Sequence, residues 1–484
     1  MRKPDFSRRG SALMMALSCA LIVAGIGGAS FMVVQSKFRV VHQAASWDQA
    51  LLSAEGGVEN AMEEIRKTLY DPASAWTGWT PGTDSSQGGT PVVKSYSLKA
   101  PALSRNGEGA QRSWSEIVVD MPACLKDGTG EQWYRIRALG AADIPGGRVV
   151  AGEKTDNALR RFSLVSDRRT GQRVAGPQST RMIEAVAKPV GAFRLALMGI
   201  ENIDLSDHNI VIDSFDSRDP AKSTGGEYDP AKRQEHGDVA TNGEAIHAGN
   251  AHIYGDAMTN GGTVFDSQNV TGAIRDDFYQ SVFAIHRPDV PADASTPAFV
   301  RSSATFTALP NTPSNYQLST LSLSGFDVLR IQGAADGTPT YIQIVVTGNM
   351  SVTGGQAAIV LDPGVYVRIF VEGDASIGGK GFVNQSSPLH LQLYGVDRPL
   401  NRDGTAPFPG SIKIAGSGAF NGAVYAPGYD VELKGGGSSD GISGAFVGKT
   451  VKMTGVQSIH YDEALRDAGL ITDFKIVSWF EDER

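Results

Sequence analysis

Cysteine is nearly absent: the chain of 484 residues holds two, Cys19 and Cys124. Cys19 lies inside an apolar run, so the pair makes no disulfide scaffold, and no zinc site of several thiolates can form. Positive charge is in deficit, with 44 Lys and Arg against 52 Asp and Glu and a net charge of −8. That balance argues against a protein that binds nucleic acid by neutralising phosphates. Charged residues are only 20% and hydrophobic ones 41%, which excludes wholesale disorder and permits a large core. The 57 Gly and 23 Pro promise many turns without reaching the level of a low-complexity chain. The length suggests about two to four domains.

What is present begins at the front. Arg2, Lys3, Arg8 and Arg9 stand against Asp5, then comes Gly10, and Ser11 to Val34 carry no charge. About 20 apolar residues cross a bilayer as a helix. The excess of Arg and Lys before the run predicts a cytoplasmic N-terminus and an exported remainder, an asymmetry that Lys37 and Arg39 weaken slightly. A cleaved secretory signal, with Gly27-Gly28-Ala29 as its small-residue site, is the competing reading. Against it, Phe31, Met32, Val33 and Val34 continue the run beyond that site. Ala16, Ala20, Ala24 and Gly28 recur at every fourth position and line one helix face. Such a ridge lets another helix approach closely, although Ala and Gly are common in membrane spans in any case.

The helix is expected to continue past the membrane. Val40, Ala44, Trp47, Leu51, Ala54, Val58, Met62, Ile65 and Leu69 follow steps of three and four, the period of one buried stripe. Glu55, Glu59, Glu63, Glu64, Arg66 and Lys67 lie off it, and Asp71-Pro72 ends the pattern. One helix over 11–69 would be roughly 90 Å long, with Gly56-Gly57 as the weak point for a kink.

A short basic leader, Gly10, a long apolar helix and then LLSAEGGVENAMEEI (Leu51–Ile65) resemble the N-terminus of PilX-type pilus assembly proteins, which are minor, pilin-like proteins of type IV pilus systems. The resemblance covers about the first seventy residues. It implies cleavage by prepilin peptidase after Gly10, leaving Ser11 as the new N-terminus. The chain departs from major pilins in two places: Met15 stands where they carry Glu, and Ser11 where they usually begin with Phe or Met. The missing carboxylate cannot pair with a neighbour's terminal amine; PilX-type proteins often lack it.

Residues 70–190 read as a β-rich connector. Thr77–Gly89 is a polar link, and short strands are expected at VVKSYSLKA, SEIVVDMPA, EQWYRIRALGA, RRFSLVSDRR and STRMIEAVAKPV. Trp133 to Ala138 alternate clearly. Trp133 and Tyr134 fit packing better than ligand contact, and Cys124 fits a small buried residue.

The rear half repeats itself. HGDVATNG (His236–Gly243) returns as YGDAMTNG (Tyr254–Gly261), VTGNMSVTGG (Val346–Gly355) as VEGDASIGGK (Val371–Lys380), and GAVYAPGYDVELKG (Gly422–Gly435) as GAFVGKTVKMTG (Gly444–Gly455). Such self-similarity, with alternating β-branched residues and Gly or Asn at corners, predicts a stacked β solenoid over 191–465, followed by a tail over 466–484. The inward residues would be Val239, Ile246, Ile253, Ile344, Val346, Val352, Ile359, Val367, Ile369, Val371, Ile377, Leu391, Leu393, Ile412, Ile414, Val424, Val431, Leu433, Phe446, Val451 and Met453. Pro288, Pro291, Pro297, Pro310 and Pro313 break the rhythm over about 287–340, which reads as an insertion or an excursion on the flank.

From about Met182 onward the chain also resembles a β-helical domain of unknown function often found behind PilX-type N-termini in Gram-negative bacteria. NIDLSDHNIVIDSFDS (Asn202–Ser217), GDVATNG, GAVYAPGYDVELKG, GAFVGKTVKMTG and SIHYDEALRD (Ser458–Asp467) carry the likeness. The resemblance implies no catalytic residue.

Several groupings tempt a chemical reading. Gly444 to Thr450 is not a phosphate loop, because three residues separate its glycines, Ser443 takes a required Gly position, and Val451 to Thr454 alternate like a strand. Asp204, Asp207, Asp213, Asp216 and Asp219 could supply a glycosidase pair or calcium ligands, but acids at turns more often cap backbone amides. His236, His247 and His252 match no zinc spacing. His460-Tyr461-Asp462-Glu463 looks like an acid–base set, yet Asp462-Glu463 opening a short helix over Glu463–Asp467 is simpler.

The expectation is therefore a mostly β protein with a long N-terminal transmembrane and amphipathic helix. It would be a single-pass, non-catalytic, pilin-like protein of the bacterial inner membrane, without cofactor or metal. Its partners would be other pilin-like subunits or the assembly machinery, and a surface glycan or protein ligand. The alternatives are a polysaccharide-acting surface enzyme on the same solenoid and an envelope scaffold that never enters a pilus.

Overall fold

The computed structural model describes residues 7–82, 92–101, 113–122, 133–144, 178–207, 210–288, 296–310, 312–398, 409–416, 420–435, 441–455 and 458–482. The chain is mostly strand, with one long N-terminal apolar helix. It divides into two compact units, Met1–Lys188 with Phe474–Arg484, and Pro189–Asp473.

In the first unit helix α1 runs unbroken from Ser7 to Tyr70, through Gly56 and Gly57. The described side chains from Met14 to Ala45 are exposed. Behind them a stripe of Ser46, Ala50, Ser53, Ala54, Gly57, Val58, Ala61, Met62 and Ile65 is buried. This corrects the expected stripe: Ala54, Val58, Met62 and Ile65 belong to it, whereas Val40, Ala44 and Trp47 are exposed. The physical reason is size, since small residues bring the helix backbone down onto a sheet. A Cβ on Gly140 would fall 1.9 Å from the Ala50 carbonyl oxygen, and one on Gly57 3.1 Å from the Ala138 and Ile117 side chains. Gly57 is thus a packing residue, not a kink. Glu64, expected outside, is also buried; its carboxylate accepts from Lys67 Nζ at 2.7 Å and from the Trp76 N–H at 2.7 Å.

The sheet holds six strands in the order Thr80–Gly82, Val92–Pro101, Ser113–Pro122, Tyr134–Asp143, Gln178–Gly191 and Ile471–Asp482. The first five pair antiparallel in sequence. Four strands fall where the sequence places them, and Tyr134, Ile136 and Ala138 alternate inward with Arg135 and Arg137 outward. The fifth expected strand, Arg160–Arg169, and Cys124 lie outside the described residues. Two boundaries change. The polar link contributes Thr80–Gly82 to the sheet edge, and the expected tail is a strand of this unit. Asp120 is fully buried and accepts from both Arg135, at 2.9 Å, and Arg137, at 2.8 Å.

The second unit consists of parallel ladders. One contains Ser314–Leu318, Thr340–Val346, Val365–Val371, Leu391–Gly395, the front halves of Asn421–Gly435 and Ile442–Thr454, the front of Leu197–Asp204, Val239–Thr241, Ala257–Met258 and Ile274–Arg275. A second contains Leu321–Ser324, Met350–Thr353, Ala375–Ile377, Gly410–Gly416, the rear halves of the same three long strands, Ala245–His247 and Thr263–Phe265. A third comes in two pieces. Ala304–Thr307, Val328–Gln332, Ala358–Leu361 and Gly381–Asn384 form one. The front of Ile442–Thr454, then Ser458–Asp462, Val211–Phe215 and His252–Ile253 form the other. All twenty-one residues expected to face inward are buried.

The repeats have a mechanical meaning. A Cβ on Gly255 would sit 2.7 Å from the Gly237 carbonyl carbon, and one on Gly373 2.4 Å from the Gly348 carbonyl oxygen. Only glycine lets successive corners come so close. The next residue then staples the rungs. Asp238 Oδ1 accepts the Asp256 N–H, and Asp256 Oδ1 accepts the Ala273 N–H. Asn349 Oδ1 accepts the Asp374 N–H, and Asp374 Oδ1 accepts the Ser411 N–H.

The order of rungs departs from the order of sequence. The chain enters at Leu197 in the middle of the ladders and reaches one end at Ile274–Arg275. It then returns along the flank. Asn242 exchanges hydrogen bonds with the Gln280 backbone, Tyr425 Oη donates to the Phe283 carbonyl, and the Ile285 carbonyl accepts the Asp397 N–H. At the far end Val300 bridges to Leu321. From there the rungs run back to Ser458–Asp462, beside Val211–Phe215. The excursion expected at about 287–340 is therefore shorter than its proline content implies, because Ala304–Gln332 already supplies rungs to all three ladders.

Candidate functional site

The first candidate region is the front of α1. Met14 to Val34 is exposed and apolar, and α1 is long and apolar enough to cross a membrane by length and composition. Ala16, Ala20, Ala24 and Gly28 lie exposed on it, and a Cβ on Gly28 would meet nothing within 4 Å. Gly10 and Ser11 fall within the helix, but their side chains lie outside the described residues.

The second lies in the unit of parallel ladders, where the third ladder is interrupted between Gly381–Asn384 and Ser458–Asp462. A cavity of about 470 Å³ opens there, lined by Phe215, Gly226, Glu227, Tyr228, Pro230, Asn384, Pro388, Phe420, Asn421, Ser443 and His460. Asn421, Ser443, His460 and Asp213 are in register on successive strands. In-register parallel neighbours project to the same side, so the ladder sets out a polar row. The segment after Phe215 folds back through the Ser214–Gln234 bridge and brings Tyr228 over the row.

The row is tightly bonded. His460 Nδ1 is 2.5 Å from Asp213 Oδ1, and both side chains are buried. Tyr228 Oη donates to Asp213 Oδ2 at 2.7 Å, and its ring stacks on the imidazole with 3.5 Å between centroids. Burial, and then the bond to Asp213, push the Tyr228 hydroxyl above its ordinary pKa. The contact with the carboxylate occupies Nδ1 and fixes the ring orientation, leaving Nε2 as the other ring nitrogen. A Cβ on Gly441 would lie 2.8 Å from Nε2.

A family model described as Domain of unknown function (DUF7305) matches residues 326–468. That stretch includes Asn384, Asn421, Ser443 and His460 but not Asp213 or Tyr228. No curated protein and no solved structure matches the chain.

The other residues singled out in the sequence do not join this cavity. Asp204, Asp216 and Asp219 cap the N–H groups of Ser206, Arg218 and Ala221, and Asp207 accepts the Gly455 N–H. Of the five acids, only Asp213 reaches the row. Glu463 gathers His236 at 2.7 Å, Ser214 at 3.0 Å and Lys222 at 3.5 Å. Asp462 Oδ1 accepts from the N–H groups of Ser217 and Ala464 and caps the short 3₁₀ helix Glu463–Asp467. His247 stacks on Phe265, and His252 is exposed. Among the described residues no group of three or more His, Cys, Asp or Glu is placed to hold a metal ion. Lys449 and Thr450 sit mid-strand, paired with Glu201 and Asp430. The sequence reading missed Tyr228, Asn384 and Asn421, which no local motif marks.

Proposed function

We propose that this chain is a single-pass, pilin-like protein of the PilX type that contributes to type IV pilus assembly or to envelope surface structure, without catalysis. The N-terminus is cytoplasmic, the span lies in the bacterial inner membrane, and the bulk is exported. Its second unit is a β solenoid that serves packing or adhesion, a reading supported by the three parallel ladders and their buried inward residues. The observation that carries the proposal is the division of α1. Its front is bare and apolar and suits lipid and neighbouring helices, while its rear is seated on an antiparallel sheet through small residues. A subunit that is held by its helix and presents a folded head needs that division. The partners are other pilin-like subunits or the assembly machinery, and a surface glycan or protein ligand.

Mass spectrometry of the mature N-terminus from the native host tests the reading. A chain beginning at Ser11 that co-purifies with sheared filaments supports it. An intact leader, or a chain absent from both the filament and inner-membrane fractions, overturns it.

A further inference from the structure

The cavity beside His460 is rich in acceptors and carries no free cation among its lining residues. With Nδ1 bonded to Asp213, Nε2 is the ring nitrogen left to meet a ligand hydroxyl, which can give or accept a hydrogen bond. Asn421 donates through Nδ2 to the Asn384 and Ser386 carbonyls, which fixes the orientation of its amide. Its Oδ1 is buried and has no partner. An unsatisfied buried acceptor costs roughly 1–3 kcal/mol, and a small local rearrangement that admits a ligand donor to it removes that cost. Glu227 adds a carboxylate and Ser443 a hydroxyl that both gives and accepts. Neither Lys nor Arg lines the space, so a phosphate or carboxylate would meet lone pairs and a negative charge. Phe215, Tyr228 and Phe420 supply apolar faces. A volume of about 470 Å³ falls in the ordinary range for small-ligand sites.

We propose that this cavity binds a neutral, hydroxyl-rich ring ligand, a one- or two-sugar segment of a glycan, with Asn421 Oδ1 accepting a hydroxyl proton, His460 Nε2 and Ser443 bonded to further hydroxyls, and Tyr228 or Phe420 covering its apolar face. The proposal deepens the adhesive part of the pilin-like reading and rests on it. It assigns the site and the ligand chemistry.

The test uses the full chain in detergent, with saturation-transfer NMR and calorimetry against maltose, cellobiose, lactose and diacetylchitobiose, and glucose 6-phosphate as the anionic comparison. At least one neutral disaccharide binds, the anionic sugar binds at least tenfold more weakly, and Asn421→Ala and His460→Phe each lower affinity tenfold or more. Glu227→Ala, on the folded-back segment, lowers it severalfold without touching the ladder and guards against misfolding of the other two. Lys413→Ala, at an exposed ion pair, leaves affinity unchanged. The proposal is overturned if the folded chain binds none of the neutral sugars, if glucose 6-phosphate binds as well, if the cavity variants bind like the parent, or if the sugar is turned over. Processing at Ser11 and filament co-purification are measured on the same preparation. A chain that passes both and binds no sugar loses this proposal and keeps the pilin-like reading.

Discussion

Asp238 and Asp256 are linked across adjacent rungs, the carboxylate oxygen of the first accepting the backbone N–H of the second at 2.9 Å. Each is the acid of a G-D-x-x-T-N-G repeat, so the repeat is a stitch made twice. Asp256→Ala should leave the Ala273 N–H without its acceptor and cost about 1 kcal/mol, the usual worth of a side-chain cap. Hydrogen exchange at Ala273 should rise while rungs beyond Ser314 stay protected. Uniform exchange would mean that the stitch is not local.

Gly140 should tolerate no side chain. In Gly140→Ala the new methyl would lie 1.9 Å from the Ala50 carbonyl and 2.5 Å from the Ala54 nitrogen. Overpacking of this kind costs about 1–3 kcal/mol, and here it pushes the helix off its sheet. Limited proteolysis between Ser46 and Tyr70 should become faster, and an unchanged cleavage rate would contradict the close approach.

Asp120 is the buried partner of two arginines. Removing one side of a buried ion pair costs about 3–5 kcal/mol, so Asp120→Ala should unfold the first unit well before the second. A denaturation curve followed by Trp114 and Trp133 fluorescence should lose its cooperative step. Asp120→Leu with Arg135→Met should recover much of the loss.

Acid should weaken the second unit. Burial alone would raise Asp204 and Asp216, but hydrogen bonds from Ser206 and Lys452 to the first, and from Arg218 to the second, outweigh it and hold both below their ordinary values. Each therefore binds a proton less readily folded than unfolded. Its stabilisation is present above the unfolded carboxylate value and disappears as pH falls through the folded one. Asp462 runs the other way, raised by burial, so its contribution is lost on raising pH. The Asp204→Asn, Asp216→Asn variant should lose less stability than the parent between about pH 5 and pH 3. Denaturant midpoints along that range would decide it.

Ser443 stands beside His460, which bonds to Asp213, yet the proposed role is non-catalytic. A fluorophosphonate probe should leave Ser443 unmodified by peptide mass. Labelling that disappears in His460→Phe would turn the site into a hydrolase.

Much of this was legible beforehand for a physical reason. Inward residues such as Ile369 and Val431 alternate along every rung, and alternation is a local signal. The helix stripe was half legible, because hydrophobicity marks Val58 and Ile65 but not Ser46, Ala50 or Gly57, whose value is their small size. Of the candidate site, Asp213, Ser443 and His460 stood out singly, but their meeting was not legible. Asp213 and His460 become neighbours only because Val211–Phe215 pairs with Ser458–Asp462, and no spacing in the sequence encodes that closure.

The last strand, Ile471–Asp482, completes the six-stranded sheet, while Ser458–Asp462 seats the rungs that begin at Leu197. Each unit is thus closed by a strand from far along the sequence. Until those strands arrive, the six-stranded sheet keeps an unfinished edge and the ladder an open place. Deleting Ile471–Asp482 alone would strand Gln178–Gly191 as a bare sheet edge, a target for proteases and holding chaperones.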